Sequence, residues 1–366
     1  MQEMIQRIQN AWTASRPFVA YHLPEAENLS CFFPEDTDLH YLQSYTQKGF
    51  IFSAFQPNSQ PILFAEASSE VLKFEVPPYQ INTESEFNIN DNQQEKENYL
   101  RLARKAIDEI KTGTAQKIVV SRKISTAYEL NSPAELLLKL IAFYPKAFTY
   151  VWFHPEVGFW AGASPEVLAK TYRTQFKTMA LAGTKRADES REWTPKELQE
   201  QQIVLDEIVN SLQALSDDVL ISDRQTEQAG ELLHLRTDIS AKVQTSDFGK
   251  VLKQLHPTSA VCGLPKDQAY AFLKTHEMYN RQFYAGFFGE LNMPQHYQRS
   301  NRTRNQEQQA YKSVVRASTL NVNLRCLSYS NGEVSLYVGG GLTKDSIPED
   351  EWKETVNKSR TMLKVL

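Results

Sequence analysis

Two acidic pairs are the most chemically suggestive feature of this chain. Glu197 and Glu200 stand three residues apart in Pro195-Lys196-Glu197-Leu198-Gln199-Glu200, and Glu351 and Glu354 repeat that spacing near the C-terminal end. On a helix, positions i and i+3 share a face, so each pair aims two carboxylates in one direction. Mg²⁺ typically takes one or two protein carboxylates and completes its shell with oxygens of its substrate. Two helices meeting at their ends could therefore hold one ion between them. Each pair also admits an ordinary reading, because acids in a first helical turn complement the helix dipole.

Ahead of the second pair, 334–342 reads as a buried strand that runs into Gly339-Gly340-Gly341. Bare backbone at a strand end lets a ligand come close and leaves N–H groups for a carboxylate. Lys117 opens a strand that is otherwise Val and Ile. Against apolar walls its pKa would fall and the neutral amine could act as a base toward water; an edge-strand lysine reaching solvent is the alternative. Glu166, in Gly162-Ala163-Ser164-Pro165-Glu166, ends a hydrophobic strand, where partial desolvation would make it an acid. Equally, it is a helix-start residue behind proline. His256 follows an apolar helix and either polarises a bound group or caps that helix. Arg325 lies in an apolar strand and wants a carboxylate partner from the protein or a ligand. Gly183, Thr184 and Tyr284 add donors without specificity of their own.

The elements that must position these groups follow from periodicity. Helices are expected over 4–14, 95–111, 133–143, 196–214, 247–255 and 266–275, with a last one carrying the second acidic pair. Strands are expected over 17–22, 49–55, 60–65, 117–124, 147–154, 158–163, 167–172, 176–182, 283–290 and 318–329, with one or two more over 231–243. Residues 77–97 read as a polar connector, and 294–316 as an insertion between two strands of a hairpin. The result is an α+β chain with large, mostly antiparallel sheets flanked by helices. Residues 1–90 form an N-terminal part integrated into the fold, and 91–366 the domain that carries the candidate catalytic residues.

At 366 residues, 41% hydrophobic, the chain can bury a large core. A net charge of −4 with 23% charged residues gives no nucleic-acid or anionic-membrane footprint. Cys31, Cys262 and Cys326 are far apart and odd in number, which suits reduced, buried thiols in the cytoplasm. There is no signal-peptide pattern at the start and no apolar run long enough to span a membrane. P-loop, GxGxxG, Ser-His-Asp and zinc spacings are also missing.

Taken in order, the segments 117–122 (KIVVSR), 162–166 (GASPE), 180–184 (ALAGT), 196–200 (KELQE), 234–237 (HLRT), 255–258 (LHPT), Tyr284-Ala285-Gly286, Leu324-Arg325 and 338–358 resemble the chorismate-utilising family. That family includes isochorismate, salicylate, anthranilate and aminodeoxychorismate synthases, and the likeness runs from about Tyr99 to the C-terminal end. The resemblance implies a chorismate substrate and a Mg²⁺ cofactor held by Glu200 and Glu354, with Glu197 and Glu351 supporting through water. It implies that Lys117 activates a water for attack at C2, where ammonia-using members carry glutamine, and that Glu166 protonates the departing C4 hydroxyl. Tyr284, Arg325, Gly339 and Gly341 would hold the enolpyruvyl carboxylate, and Gly183, Thr184, His256 and Lys358 would complete the substrate site. Ala182 stands where aminodeoxychorismate synthases carry a lysine. Both positions point to the water-using branch: an isochorismate synthase of menaquinone or siderophore biosynthesis, or else a salicylate synthase. A non-catalytic chorismate-binding subunit is a third reading. A monomer without a glutaminase partner is expected. The chain departs from the family pattern at Gln201 (usually His), Gln282 (usually Gly), Phe287-Phe288 (usually a Gly-Pro-like pair) and the insertion at 294–316.

Overall fold

A computed structural model describes residues 2–77, 79, 92–297 and 313–366. Much of the expected connector at 77–97 and the middle of the 294–316 insertion lie outside the described residues. The chain begins with α1 (Gln2–Thr13) and the strands β1 (Phe18–His22), β2 (Asn28–Pro34), β3 (Gly49–Ser53), β4 (Ile62–Ala65) and β5 (Ser69–Glu75). Next come α2 (Gln93–Lys111), β6 (Lys117–Ala127), α3 (Pro133–Phe143), β7 (Phe148–His154), β8 (Gly158–Ser164), β9 (Val167–Tyr172) and β10 (Gln175–Arg186). Then follow α4 (Pro195–Gln213), β11 (Val219–Ile221), β12 (Gln225–Ala229), β13 (Leu232–Lys242), α5 (Phe248–Leu255), β14 (Gly263–Leu264) and α6 (Lys266–His276). The chain closes with β15 (Phe287–Tyr297), β16 (Ser313–Val322), β17 (Cys326–Ser330), β18 (Glu333–Leu342) and α7 (Pro348–Leu363).

The strands form two antiparallel sheets. One runs β14-β6-β18-β17-β8-β7-β1-β2-β5, the other β11-β13-β10-β9-β16-β15-β3-β4, with β12 also on β13. The expected class, α+β with large antiparallel sheets and flanking helices, is the one observed. The first sheet is buried on both faces, which is why β1 and β7 read as unbroken apolar runs. In β7, Phe148, Tyr150 and Trp152 face the core shared with the second sheet, while Val151 and Phe153 join a second core with α1 and α3. Among the described residues no helix is long and apolar enough to cross a membrane.

The strands β2, β5 and β14 were not expected; of the expected elements, three differ most at their boundaries, and two of these matter for the site. The strand expected at 283 starts at Phe287, so Tyr284 sits in a turn whose flanks, Gln282 (φ 51°) and Ala285 (φ 62°), are left-handed. The strand expected over 318–329 is two strands, because the chain leaves the second sheet after Val322 and enters the first at Cys326. Arg325, with φ 48°, is the last residue of that crossing. The third difference is the region around 219–243, where β11 and β12 join β13 as short edge partners.

Candidate active site

The crossing at Asn323-Leu324-Arg325 and the ends of β6, β8, β10, β13 and β18 enclose a cleft of about 680 Å³. Its walls include Glu166, Gly183, Thr184, Glu200, Tyr284, Arg325, Gly339, Gly341 and Lys358, all singled out from sequence. Lys117 lies behind Gly341: a Cβ on that glycine would come 2.8 Å from the Lys117 Cε and 2.2 Å from Glu200 Oε1. Glycine is required there because any side chain would displace both. Past Leu336, β18 has no β17 partner among the described residues, which leaves one backbone edge of the glycine run beside the cleft.

Lys117 has no solvent exposure, and its Nζ lies 3.1 Å from Glu200 Oε1. The sequence suggested apolar walls; an acid faces the amine as well. Glu166 is also buried, and desolvation pushes its pKa up to about 8 against the opposing pull of Lys117 and Lys358. A carboxyl in that state keeps its proton at neutral pH and can donate it.

Arg325 is half-buried and touches only neutral groups at long range: the Lys358 carbonyl at 3.5 Å, Thr361 Oγ1 at 3.4 Å and His234 Nε2 at 3.3 Å. Burial pulls its pKa down, which measures the need of this guanidinium for an anion. His234 was missed as a site residue, although it lies in the HLRT segment. It pairs with Thr184 in the β10–β13 register and lines the cleft. Its Nδ1 donates to the Gly183 carbonyl at 3.0 Å, which leaves Nε2 as an acceptor for Arg325. Burial and the nearby Arg325 and Lys358 push its pKa down to about 3, so the ring is neutral. Gly183 makes this possible: at φ 72° it forms the bulge between Ala182 and Thr184 and turns its carbonyl to the imidazole.

His256 is placed elsewhere. Its Nε2 donates to the Ala54 carbonyl at 3.0 Å and its ring lies edge-on to Phe287 at 4.9 Å, so it ties α5 to the chain after β3 and is outside the cleft lining. Tyr284 is stacked on Tyr337, and a Cβ on Gly339 would lie 2.9 Å from its hydroxyl. Lys358 donates to the Gly339 carbonyl at 2.9 Å and pairs with Glu354 at 2.5 Å.

The four glutamates sit in the first turns of α4 and α7: Glu200 lines the cleft, and Glu197, Glu351 and Glu354 line a second cavity that shares Thr184 with it. Each holds a cation of the chain: Glu200 with Lys117, Glu354 with Lys358, Glu351 with Lys196 and Glu197 with Arg191. Glu197 also completes a capping box, accepting from the Thr194 N–H at 2.8 Å, so part of its work is to start α4. Lys196 is the other missed residue. Although burial opposes it, the charges of Glu351, Glu354 and Glu200 push its pKa up, and its ammonium pairs with Glu351. Glu351 is the most strained of them, pushed up to about 7 by burial and Glu354, and its Oε2 has no hydrogen-bond partner. Among the described residues no three acids, histidines or cysteines already form a ligand shell. The donor chemistry nevertheless fits a hard divalent ion: all the acceptors are carboxylate oxygens, one is buried and unsatisfied, and each carboxylate already draws a cation.

A family profile described as "chorismate binding enzyme" matches residues 53–297, and a second of the same description matches 310–364. The chain is 30% identical over 292 residues to isochorismate synthase MenF of Escherichia coli (strain K12), covering 74% of this chain and 61% of that protein. It thus spans about three fifths of the length of that curated relative. Among solved structures it is similar to a putative 2,3-dihydroxybenzoate-specific isochorismate synthase, DhbC, of Bacillus anthracis, with TM-score 0.74, 20% identity and 98% of both chains covered. The structure of the menaquinone-specific MenF of Escherichia coli superposes with TM-score 0.73 at 20% identity, over 97% of this chain and 90% of that one. At that identity the superpositions speak for the fold.

Proposed function

The chain belongs to the chorismate-binding enzyme family, and on that footing we propose that it is an isochorismate synthase, an isomerase that adds water at C2 of chorismate and expels the C4 hydroxyl. The observation that carries this reading is Glu166, a buried carboxyl lining the cleft whose pKa is pushed up to about 8, with the buried Lys117 behind Gly341 of the same wall. An acid and a base beside one ring suit the displacement of one hydroxyl by another.

Lys117 takes the proton from the attacking water, and Glu166 gives its proton to the leaving hydroxyl. Arg325, aligned by His234, and Tyr284 hold the enolpyruvyl carboxylate together with the backbone of Gly339 and Gly341. Gly183, Thr184 and Lys358 line the rest of the site. Glu200 and Glu354 would hold Mg²⁺, with Glu197 and Glu351 in support. A bound ion would supply positive charge against a dianionic substrate.

The names of the relatives favour menaquinone or a catechol siderophore as the end of the pathway. The enzyme is read as a cytoplasmic monomer that works without a glutaminase subunit, since Lys117 calls for water rather than ammonia. The test is product analysis of the purified protein with chorismate and Mg²⁺, run beside Lys117→Gln. Isochorismate from the wild type and none from the folded variant is the expected result. Salicylate with pyruvate would make it a salicylate synthase, and chorismate binding without turnover would make it a non-catalytic subunit.

A further inference from the structure

Gly339, Gly340 and Gly341 present their bare positions to opposite faces of β18 in turn. On the cleft side, a Cβ at Gly339 or Gly341 would run into Tyr284, or into Glu200 and Lys117. A Cβ at Gly340 would point the other way, and the two nearest atoms there are oxygens: Glu351 Oε2 at 3.2 Å and the Tyr99 hydroxyl at 3.3 Å. Both side chains are fully buried, and neither oxygen has a hydrogen-bond partner. Tyr99 is held by the apolar face of α2 and by the Trp352 ring of α7 at 5.7 Å, so its hydroxyl is aimed by packing. The other oxygen of Glu351 is taken by Lys196.

We propose that Tyr99 is a positioning residue for Glu351: its phenol donates to Oε2 across the notch that Gly340 leaves open, and this fixes how the carboxylate faces the cation of the acidic cluster. Toward a carboxylate oxygen a neutral phenol can only donate, and burial and Glu351 both push the Tyr99 pKa up. Partners of this kind, one step behind a metal ligand, set its orientation and strengthen binding. The inference rests on reading the acidic cluster as the Mg²⁺ site.

The experiment is calorimetric titration of the full chain with MgCl₂, using the wild type, Tyr99→Phe, Glu351→Gln and the double variant. Phe keeps the ring and its packing on Trp352, so only the hydroxyl is lost. Tyr99→Phe is expected to weaken Mg²⁺ binding on the order of tenfold, and to add nothing once Glu351 is Gln. Gly340→Ala, which fills the notch without touching either side chain chemically, is expected to weaken binding as well, and it carries the test if Tyr99→Phe does not fold. A Tyr99→Phe isotherm that superposes on the wild type overturns the proposal, as does an equal loss in the Glu351→Gln background or a wild type that binds no Mg²⁺. If isochorismate forms while Tyr99→Phe binds Mg²⁺ normally, only the role of Tyr99 falls. If the Tyr99 effect is present but no isochorismate forms, only the reaction assignment falls.

Discussion

Glu166 ties pH to function most directly. Its folded pKa is raised from 4.5 to about 8 by desolvation. The protonated form therefore contributes stability that is complete below about 4.5 and is lost as pH rises toward about 8. Activity that needs this proton has the same sign, so kcat/KM is expected to fall above about pH 8. Glu166→Gln should remove that alkaline limb and lower the rate by roughly 10²–10⁴. A pH–rate profile that keeps its limb in the variant would assign the acid elsewhere. At this scale the sequence was informative where a residue ends a strand, as Lys117 and Glu166 do. It misled at His256, which stands out locally beside proline but spends its ring on the carbonyl of Ala54, about 200 residues away in the chain. His234 enters the cleft through a register with β10 that nothing in its own neighbourhood announces.

Among the elements, the segments with strong periodicity were legible: α2, α3, α4, β7 and β8 fall within a few residues of expectation. The strands that break at left-handed residues were not. Gln282, Ala285 and Arg325 carry no glycine to mark a turn, and apolar patterning continues past them, so Tyr284 and Arg325 read as strand residues. The short edge strands β11 and β12 gave no signal because their side chains are largely exposed. Gln282 offers a test of this account. Its φ of 51° costs a side-chain-bearing residue about 1–2 kcal/mol, whereas glycine adopts it freely at an entropic cost of about 0.5–1 kcal/mol. Gln282→Gly is therefore expected to raise the unfolding free energy by about 0.5–1 kcal/mol, read by urea denaturation. A loss of stability would mean that the Gln282 side chain makes a compensating contact.

At the level of the whole molecule, the two acidic pairs were legible as pairs, but their balance was not. Lys117, Lys196, Lys358 and Arg191 each neutralise one glutamate, from three separate stretches of the chain. The folded protein can therefore assemble the acidic cluster without an ion, and an ion that binds only this state adds stability by mass action. At a hundredfold excess over Kd, Mg²⁺ is expected to contribute about 2.7 kcal/mol, seen as a rise of several degrees in Tm. Glu354→Ala should largely abolish that rise, and an unchanged rise would remove Glu354 from the ligand set.

The first strands bear on how the chain can be shortened. β1 lies against β7 in one sheet, and β3 lies against β15 in the other. Trimming the protein to a smaller unit that starts at α2 would strip both sheets at once and leave the flanks of β7 and β15 as raw rims. Such rims recruit strands from neighbouring chains, so the fragment would precipitate before its chemistry could be assayed.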